Sequence, residues 1–240
     1  MFEKASFNKT KIVATVGPAS NSKDTLRALI REGVDVFRLN FSHGTHDDHL
    51  KVVKAVRELN EELGSTISLL QDLQGPKIRV QEVQADTMLD RGQEFLITTR
   101  QLLGNKDIVS TSYTSLPKDV KYGDMILIDD GKIELKVKEV REIEILTEVV
   151  YGGPLKSRKG INLPFTKVSA PSLTEKALVD LEFGIKHNVD WIALSFVRKG
   201  SDIKDLREIL DSRQSSSRIV AKIEKPEALN NVDDIIGDDR

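Results

Sequence analysis

Two different hydrophobic periods alternate along this chain, and the pattern changes twice. In residues 1–73, short apolar runs alternate with apolar stripes spaced by three or four residues, which predict strands and amphipathic helices. Strands are predicted at 11–17, 34–44 and 67–73, with a helix between each pair. This β-α-β-α-β order is typical of parallel strands flanked by helices.

Capping side chains precede both predicted helices. Residues 21–24 (Asn-Ser-Lys-Asp) precede the first, and Thr45 to Asp48 has the composition of a capping box before the second. The apolar stripes of the two helices are formed by Leu26, Leu29 and Ile30, and by Val52, Val56, Leu59 and Leu63.

From residue 75 to about 171 the helical period disappears. Short alternating runs replace it, and the strongest spans 126–135, where Asp130-Gly131 predicts a tight hairpin because glycine accepts a positive φ. A segment this long is too long for a loop and must fold by itself. We therefore predict an inserted all-β domain.

The first pattern resumes after residue 171. Ser172 to Glu175 is predicted as a capping box for a helix with the stripe Leu178, Leu181 and Ile185. Strands follow at 191–196 and 218–224, separated by a helix with the stripe Ile203, Leu206 and Leu210. A parallel barrel needs eight strands and five are predicted, so either the sheet stays open or the chain is part of a longer protein. The predicted domains are 1–74, 75–171 and 172–240.

Composition excludes several classes of function. The net charge of −2 arises from 36 basic and 38 acidic residues in 240, so an overall basic field for nucleic acid is absent. The sequence contains no cysteine, which removes disulfides and thiolate chemistry. No apolar run has the length of a membrane span. We expect a cytoplasmic protein that binds neither nucleic acid nor membrane.

The strand within 34–44 has an unusual polar face. Arg38, Asn40 and Ser42 alternate with Phe37, Leu39 and Phe41, so a guanidinium, an amide and a hydroxyl share one side. This face is either the wall of a site or the solvated side of an edge strand.

Charged residues cluster where other predicted strands end. Lys222 and Glu224 end the fifth strand, at the edge where α/β barrels place their active sites. The lysine could act as an acid or a Schiff-base nucleophile and the carboxylate could bind a metal, or the two could form a surface ion pair. Asp72 ends the third strand, and Lys77 and Arg79 follow at the domain junction. The four histidines lack the helical spacing of a zinc enzyme.

Five segments resemble the pyruvate kinase family and occur in the family's order. They are residues 10–20, 38–44, 72–79, 159–164 and 222–224. The resemblance covers nearly the whole chain up to about residue 236. It implies an α/β fold, a TIM (β/α)8-type barrel that is incomplete in this chain, with an inserted all-β barrel lid domain.

The resemblance implies phosphoryl transfer from phosphoenolpyruvate to ADP, giving pyruvate and ATP in glycolysis. By position, Arg38 is expected to clamp the substrate phosphate and Lys222 to stabilise the enolate and the transferring phosphoryl group. Glu224 is expected to bind the essential Mg²⁺. Expected nucleotide contacts are Asn40, His43, Arg79 and Lys159.

A monovalent-cation pocket is also implied, formed by Asn40, Ser42, Asp72 and the backbone of Leu73. The resemblance implies a glutamate in many family members at the position where this sequence has Lys77. Because the ammonium group of Lys77 could supply the positive charge itself, we expect the full-length enzyme not to require K⁺.

The chain departs from the family at its end. Family members continue into a strand with a second Mg²⁺ carboxylate, whereas this sequence ends in Gly237-Asp238-Asp239-Arg240. We therefore expect an incomplete chain with little or no kinase activity by itself, and a homotetramer for the full-length protein. The alternatives are a non-catalytic truncated product or binding fragment, and an aldolase-like barrel with Lys222 as Schiff base.

Overall fold

The computed structural model describes residues 9–76, 78–164, 166, 168–224 and 226–237. These residues form two compact units. The first contains the chain up to Gly75 together with the chain from Ser172 onward, and the second is Pro76–Pro171. Within the described residues, none of the helices is both long and apolar enough to cross a lipid bilayer.

Helices and strands alternate in the first part of the chain. The elements are β1 (Val13–Val16), α1 (Lys23–Arg31), β2 (Val36–Asn40), α2 (His46–Leu63) and β3 (Ser68–Asp72).

The second unit consists mainly of short strands and one helical turn. The elements are β4 (Met88–Leu89), β5 (Glu94–Thr98), β6 (Ile108–Ser110), α3 (Leu116–Asp119), β7 (Met125–Ile128), β8 (Ile133–Val140), β9 (Glu144–Tyr151), β10 (Gly153–Pro154) and β11 (Ile161–Asn162).

The chain then returns to the first unit with alternating helices and strands. The elements are α4 (Glu175–Lys186), β12 (Trp191–Leu194), α5 (Gly200–Ser212), β13 (Arg218–Ala221), α6 (Pro226–Leu229) and α7 (Val232–Gly237).

All five strands of the first unit form one parallel sheet. Its order is β1-β2-β3-β12-β13, so the strand that follows the insertion pairs directly with the strand that precedes it. Parallel strands bring their carboxyl ends to the same edge of a sheet, and that edge carries the candidate site. The α/β class and the incomplete parallel barrel predicted from the sequence are confirmed.

Strand β2 shows how the sequence pattern determines the sheet faces. Phe37 and Leu39 are buried in the core, whereas Arg38 and Asn40 are partly exposed on the other face. Helix α2 packs against the same core through Val56 and begins at the predicted capping box. The Thr45 side chain accepts from the backbone N–H of Asp48, and the Asp48 side chain accepts from Thr45.

The second unit has a sheet of six strands in the order β11-β7-β8-β9-β5-β6 and a separate pair, β10-β4. The predicted hairpin joins β7 to β8, but its turn is wider than the expected Asp-Gly pair. Four residues, 129–132, connect the strands, and Asp129, Asp130 and Gly131 all have positive φ. Two aspartates in the left-handed region are tolerated because their short side chains accept it better than bulky ones do.

The predicted start of α4 is wrong by two residues, and one of the three residues of its predicted stripe, Leu178, does not face the core. Thr174, not Ser172, caps the helix, and its side chain accepts from the backbone N–H of Ala177. Leu178 is 40% exposed and Ala177 is buried in its place, whereas Leu181 is buried and Ile185 packs against the core as predicted. The hydroxyl nearest the helix start takes the capping position.

Strands β12 and β13 end earlier than predicted. β12 ends at Leu194 and β13 at Ala221, whereas the predicted strands reached 196 and 224. Phe196 has a φ of 57°, which is incompatible with an extended strand. Ser195, Lys222 and Glu224 therefore lie in the loops that leave the carboxyl edge of the sheet.

Candidate active site

Asp72 is the centre of the candidate site. It ends β3 in the middle of the five-stranded sheet and its side chain is 3% exposed. A carboxylate buried to this degree requires charged or hydrogen-bonding partners. Neighbouring strands supply them from both sides.

Arg38 contacts Asp72 from β2. Its Nε and Nη2 both lie close to Oδ2 of Asp72, at 2.7 Å and 2.5 Å. Its third nitrogen, Nη1, donates to Oγ1 of Thr15 at 2.8 Å. Thr15 is the register partner of Arg38 on β1, so pairing of the two strands fixes this contact. The guanidinium is consequently held at both ends.

Lys222 contacts Asp72 from the other side of the sheet. Its Nζ lies 3.1 Å from Oδ1 and 3.3 Å from Oδ2 of Asp72, and 2.8 Å from Oγ of Ser195. Oε1 of Glu224 is a further acceptor at 3.3 Å. Four oxygen atoms thus surround the ammonium group. Nζ is a hydrogen-bond donor in these contacts, whereas a Schiff-base nucleophile attacks through the lone pair of that nitrogen, so this arrangement disfavours the aldolase-like alternative.

Ser195 was not among the residues selected from the sequence. Its side chain is buried, and its hydroxyl donates to the backbone carbonyl of Leu73 at 2.9 Å while it accepts from Lys222. Gly75 permits this arrangement, since a Cβ there would lie 2.8 Å from Cβ of Ser195. The only signal in the sequence is the position of Ser195 directly after an apolar strand.

Glu224 is oriented by a backbone group and keeps part of its carboxylate accessible. Its Oε2 accepts from the backbone N–H of Phe196 at 2.9 Å, and its side chain is 35% exposed. Within the part of the chain that is described, no three histidine or acidic side chains cluster as metal ligands. Glu224 fits Mg²⁺ as a single carboxylate ligand, because Mg²⁺ is commonly held by one or two carboxylates with water and substrate phosphate.

Three of the four predicted monovalent-cation ligands already have protein partners for their oxygen atoms. Oδ1 of Asn40 accepts from the backbone N–H of Ser42 at 3.0 Å. The carbonyl of Leu73 accepts from Ser195, and both oxygens of Asp72 contact cations. Lys77, the proposed replacement for K⁺, lies outside the described residues.

His43 follows the polar strand face, and its side chain is exposed. Its carbonyl is 3.0 Å from Nε2 of His49, which lies on α2. Burial is the main cause that lowers the pKa of His49 below its usual range. This keeps His49 neutral near pH 7 and leaves His43 as the accessible imidazole of the pair.

Arg79 and Lys159 belong to the second unit. Arg79 donates from Nη1 to the carbonyl of Arg158 at 2.9 Å, and its backbone forms a bridge with Gly160. Nζ of Lys159 lies 2.9 Å from Oδ1 of Asp129. Hydrogen bonds from Lys159 and then Lys132 lower the pKa of Asp129. The structure thus places Arg79 and Lys159 near one turn of that unit.

The cations and carboxylates at the carboxyl edge of this parallel sheet are typical of the class of enzyme sites that bind an anionic substrate. Arg38 and Lys222 are 30% and 28% exposed at the side chain, so both cations are accessible to a ligand while Asp72 holds them in place. Glu224 adds a ligand for a hard cation. Together these groups suit the binding of an anionic, metal-associated substrate such as a phosphate ester.

Comparison with known proteins identifies the family within this class. The family model described as "Pyruvate kinase, barrel domain" matches residues 7–239. The chain belongs to the pyruvate kinase family.

Individual relatives agree with this assignment. The pyruvate kinases of Staphylococcus epidermidis and Corynebacterium glutamicum are 42% and 44% identical over 231 and 229 residues, in each case 95% of this chain. A crystal structure of a pyruvate kinase from Cryptosporidium parvum matches 96% of this chain with a TM-score of 0.91 and 37% identity. The chain spans 40% and 48% of the two sequence relatives and 49% of the solved chain.

Proposed function

We propose that this chain forms part of the catalytic site of a cytoplasmic, homotetrameric pyruvate kinase. In this reaction the bond between phosphorus and the enol oxygen of phosphoenolpyruvate breaks, and the phosphoryl group passes to a terminal oxygen of ADP. The enolate then takes a proton at carbon 3 to give pyruvate. The observation that supports the proposal most is the Arg38–Asp72–Lys222 cluster at the carboxyl edge of the sheet.

Arg38 and Lys222 have distinct proposed roles. The planar guanidinium of Arg38 suits bidentate binding of the substrate phosphate, and Asp72 and Thr15 fix its orientation before substrate arrives. The ammonium of Lys222 is proposed to face the enol oxygen and the transferring phosphoryl group. Phosphoryl transfer depends mainly on positioning and charge neutralisation, and two preoriented cations provide both.

Glu224 is the proposed protein ligand of Mg²⁺. The metal, when bound, neutralises charge on the phosphoryl and enolate oxygens. The contribution of this chain is to orient the carboxylate through the backbone N–H of Phe196. Asn40, His43, Arg79 and Lys159 remain proposed nucleotide contacts.

The function is tested by ligand binding together with product formation. Because the chain spans less than half of the relatives, we expect the 240-residue polypeptide to bind substrate but turn over slowly or not at all. With MgCl2 present, phosphoenolpyruvate is expected to raise the Tm of the polypeptide, by linkage of ligand binding to folding, whereas pyruvate raises it less. Any ATP is measured with luciferase and pyruvate by a coupled dehydrogenase, and the two should form in equal amounts. Absence of both a Tm shift and products would contradict the proposal.

We further propose that catalysis does not require added K⁺. The support is Lys77 in the sequence, together with the finding that the predicted K⁺ ligands Asp72 and Leu73 already have protein partners. The rate of ATP formation, or phosphoenolpyruvate binding if turnover is too slow, is compared in NaCl-free buffers of equal ionic strength containing KCl or tetramethylammonium chloride. The expected difference is less than about twofold, since no cation site would be left empty. A large stimulation by KCl would disprove it.

A further inference from the structure

The segment between β2 and α2, residues 41–44, is held by side chains from two helices. We call it the β2 loop. The loop contains Ser42, a predicted ligand of the monovalent cation, and His43, a predicted nucleotide contact. It directly follows Asn40, which is predicted to contact both. It has no regular secondary structure, so its conformation depends on contacts made by other elements.

Lys176 on α4 provides the first of these contacts. Its Nζ donates to the backbone carbonyl of Phe41 at 2.8 Å and lies 2.5 Å from Oδ2 of Asp180, one turn later on the same helix. Asp180 is buried, and its other oxygen lies 2.8 Å from Nε2 of His46 at the start of α2. Lys176 is therefore fixed at its charged end before it reaches the loop.

His49 on α2 provides the second contact. Its Nε2 lies 3.0 Å from the carbonyl of His43, and since a carbonyl only accepts, the proton must be on Nε2. The His49 ring also stacks on the ring of Phe41, with 4.2 Å between centroids and 17° between planes. Gly44 is favoured in this loop by its φ of +78°, a backbone conformation that residues with a Cβ rarely adopt.

The hydrogen bonds from Lys176 and His49 are made to the two residues that flank Ser42. Lys176 binds the carbonyl of Phe41 in the peptide unit before Ser42, and His49 binds the carbonyl of His43 in the peptide unit before Gly44. The two-residue segment 42–43 is therefore restrained at both of its ends. We propose that Lys176 and His49 are positioning residues for the β2 loop. They hold Asn40 and His43 ready for nucleotide binding and Ser42 in the proposed cation pocket. This inference rests on the proposed function. It adds Lys176 and His49, which contact neither phosphoenolpyruvate nor ADP in that proposal.

The matched variants are Lys176→Met and Lys186→Met. Both lie on α4, and Lys186 is exposed with no hydrogen bond or ion pair among the described residues. Loss of a charge-assisted hydrogen bond is expected to weaken ADP binding roughly five- to tenfold in Lys176→Met. Binding of phosphoenolpyruvate, which Arg38 and Lys222 hold, should change less than about twofold. Calorimetry with each ligand measures both, and Lys186→Met should leave both unchanged.

Amide hydrogen exchange provides a readout that needs no ligand. In Lys176→Met the amides of the β2 loop are expected to exchange at least about tenfold faster than in Lys186→Met, with the β2 and β3 amides unchanged. His49→Phe keeps the ring stacked on Phe41 but removes the donor, and it should have the same local effect.

These measurements distinguish the inference from a merely structural role. Equal losses of affinity for ADP and phosphoenolpyruvate, or faster exchange throughout the sheet, would show general destabilisation and overturn it. Unchanged exchange in the β2 loop would also overturn it. A wild-type chain that binds neither ligand contradicts the proposed function instead, and the exchange data then decide whether the two side chains position the loop.

Discussion

Replacement of Lys222 by methionine is expected to weaken binding of phosphoenolpyruvate by about ten- to a hundredfold. The Lys222 side chain is 28% exposed. Asp72, Ser195 and Glu224 hold its ammonium group at the carboxyl edge of the sheet. Methionine keeps the length and apolar stem of the side chain but removes the charge and all donors. The affinity is measured by isothermal titration calorimetry in the presence of MgCl2.

The control for this variant is Lys204→Met. Lys204 is an exposed lysine of α5 with no ion pair or hydrogen bond among the described residues, so the same chemical change there should leave the affinity as it is. Lys222→Arg keeps the positive charge and should lose less than the methionine variant. An unchanged affinity in Lys222→Met would exclude the lysine from the phosphate site.

Replacement of Asp72 by asparagine is expected to lower the free energy of unfolding by about 3 kcal/mol. Asp72 is 3% exposed and is the shared counter-ion of Arg38 and Lys222. Without the carboxylate, two cations repel each other and the buried amide cannot accept from both. The cost falls at the lower end of the range for broken buried pairs because both cations are partly exposed and can turn toward water.

The measurement is urea unfolding followed by tryptophan fluorescence. The chain has a single tryptophan, Trp191, and it lies on β12 beside β3, so the signal reports the unit that contains Asp72. Asp205→Asn on α5 removes an exposed carboxylate that has no partner among the described residues, and it should cost less than about 0.5 kcal/mol. Added inorganic phosphate should restore part of the loss in Asp72→Asn. Equal stabilities for the two variants would refute the role of Asp72 as counter-ion.

The sequence predicted most of the elements because their signals are local. The capping box of Thr45 and Asp48, the alternating faces of β2 and the long segment without helical period each depend on neighbouring residues. Ser172 and Thr174 are both suitable helix caps, and the predicted start of α4 was therefore placed two residues too early. The wide turn at 129–132 was missed because aspartate also tolerates positive φ.

The candidate site was predicted in part. Asp72, Lys222 and Glu224 were selected because each lies at the carboxyl end of a predicted strand, and parallel strands bring such ends together. Arg38 was selected because it shares the polar face of its predicted strand with Asn40 and Ser42. Thr15 and Ser195 were not selected, since a hydroxyl near a strand end is a common and weak signal. Their importance comes only from the atoms they contact, Nη1 of Arg38 and Nζ of Lys222.

The sequence alone determined which residues face the core, which carry charge at the strand ends, and which family the chain resembles. These properties follow from side-chain period and residue order, which need no knowledge of distant contacts. Only the tertiary structure decided that Asp72 is shared by two cations and that Lys176 reaches the carbonyl of Phe41. Those pairs are separated by 34, 150 and 135 residues, and folding alone brings them within hydrogen-bonding distance.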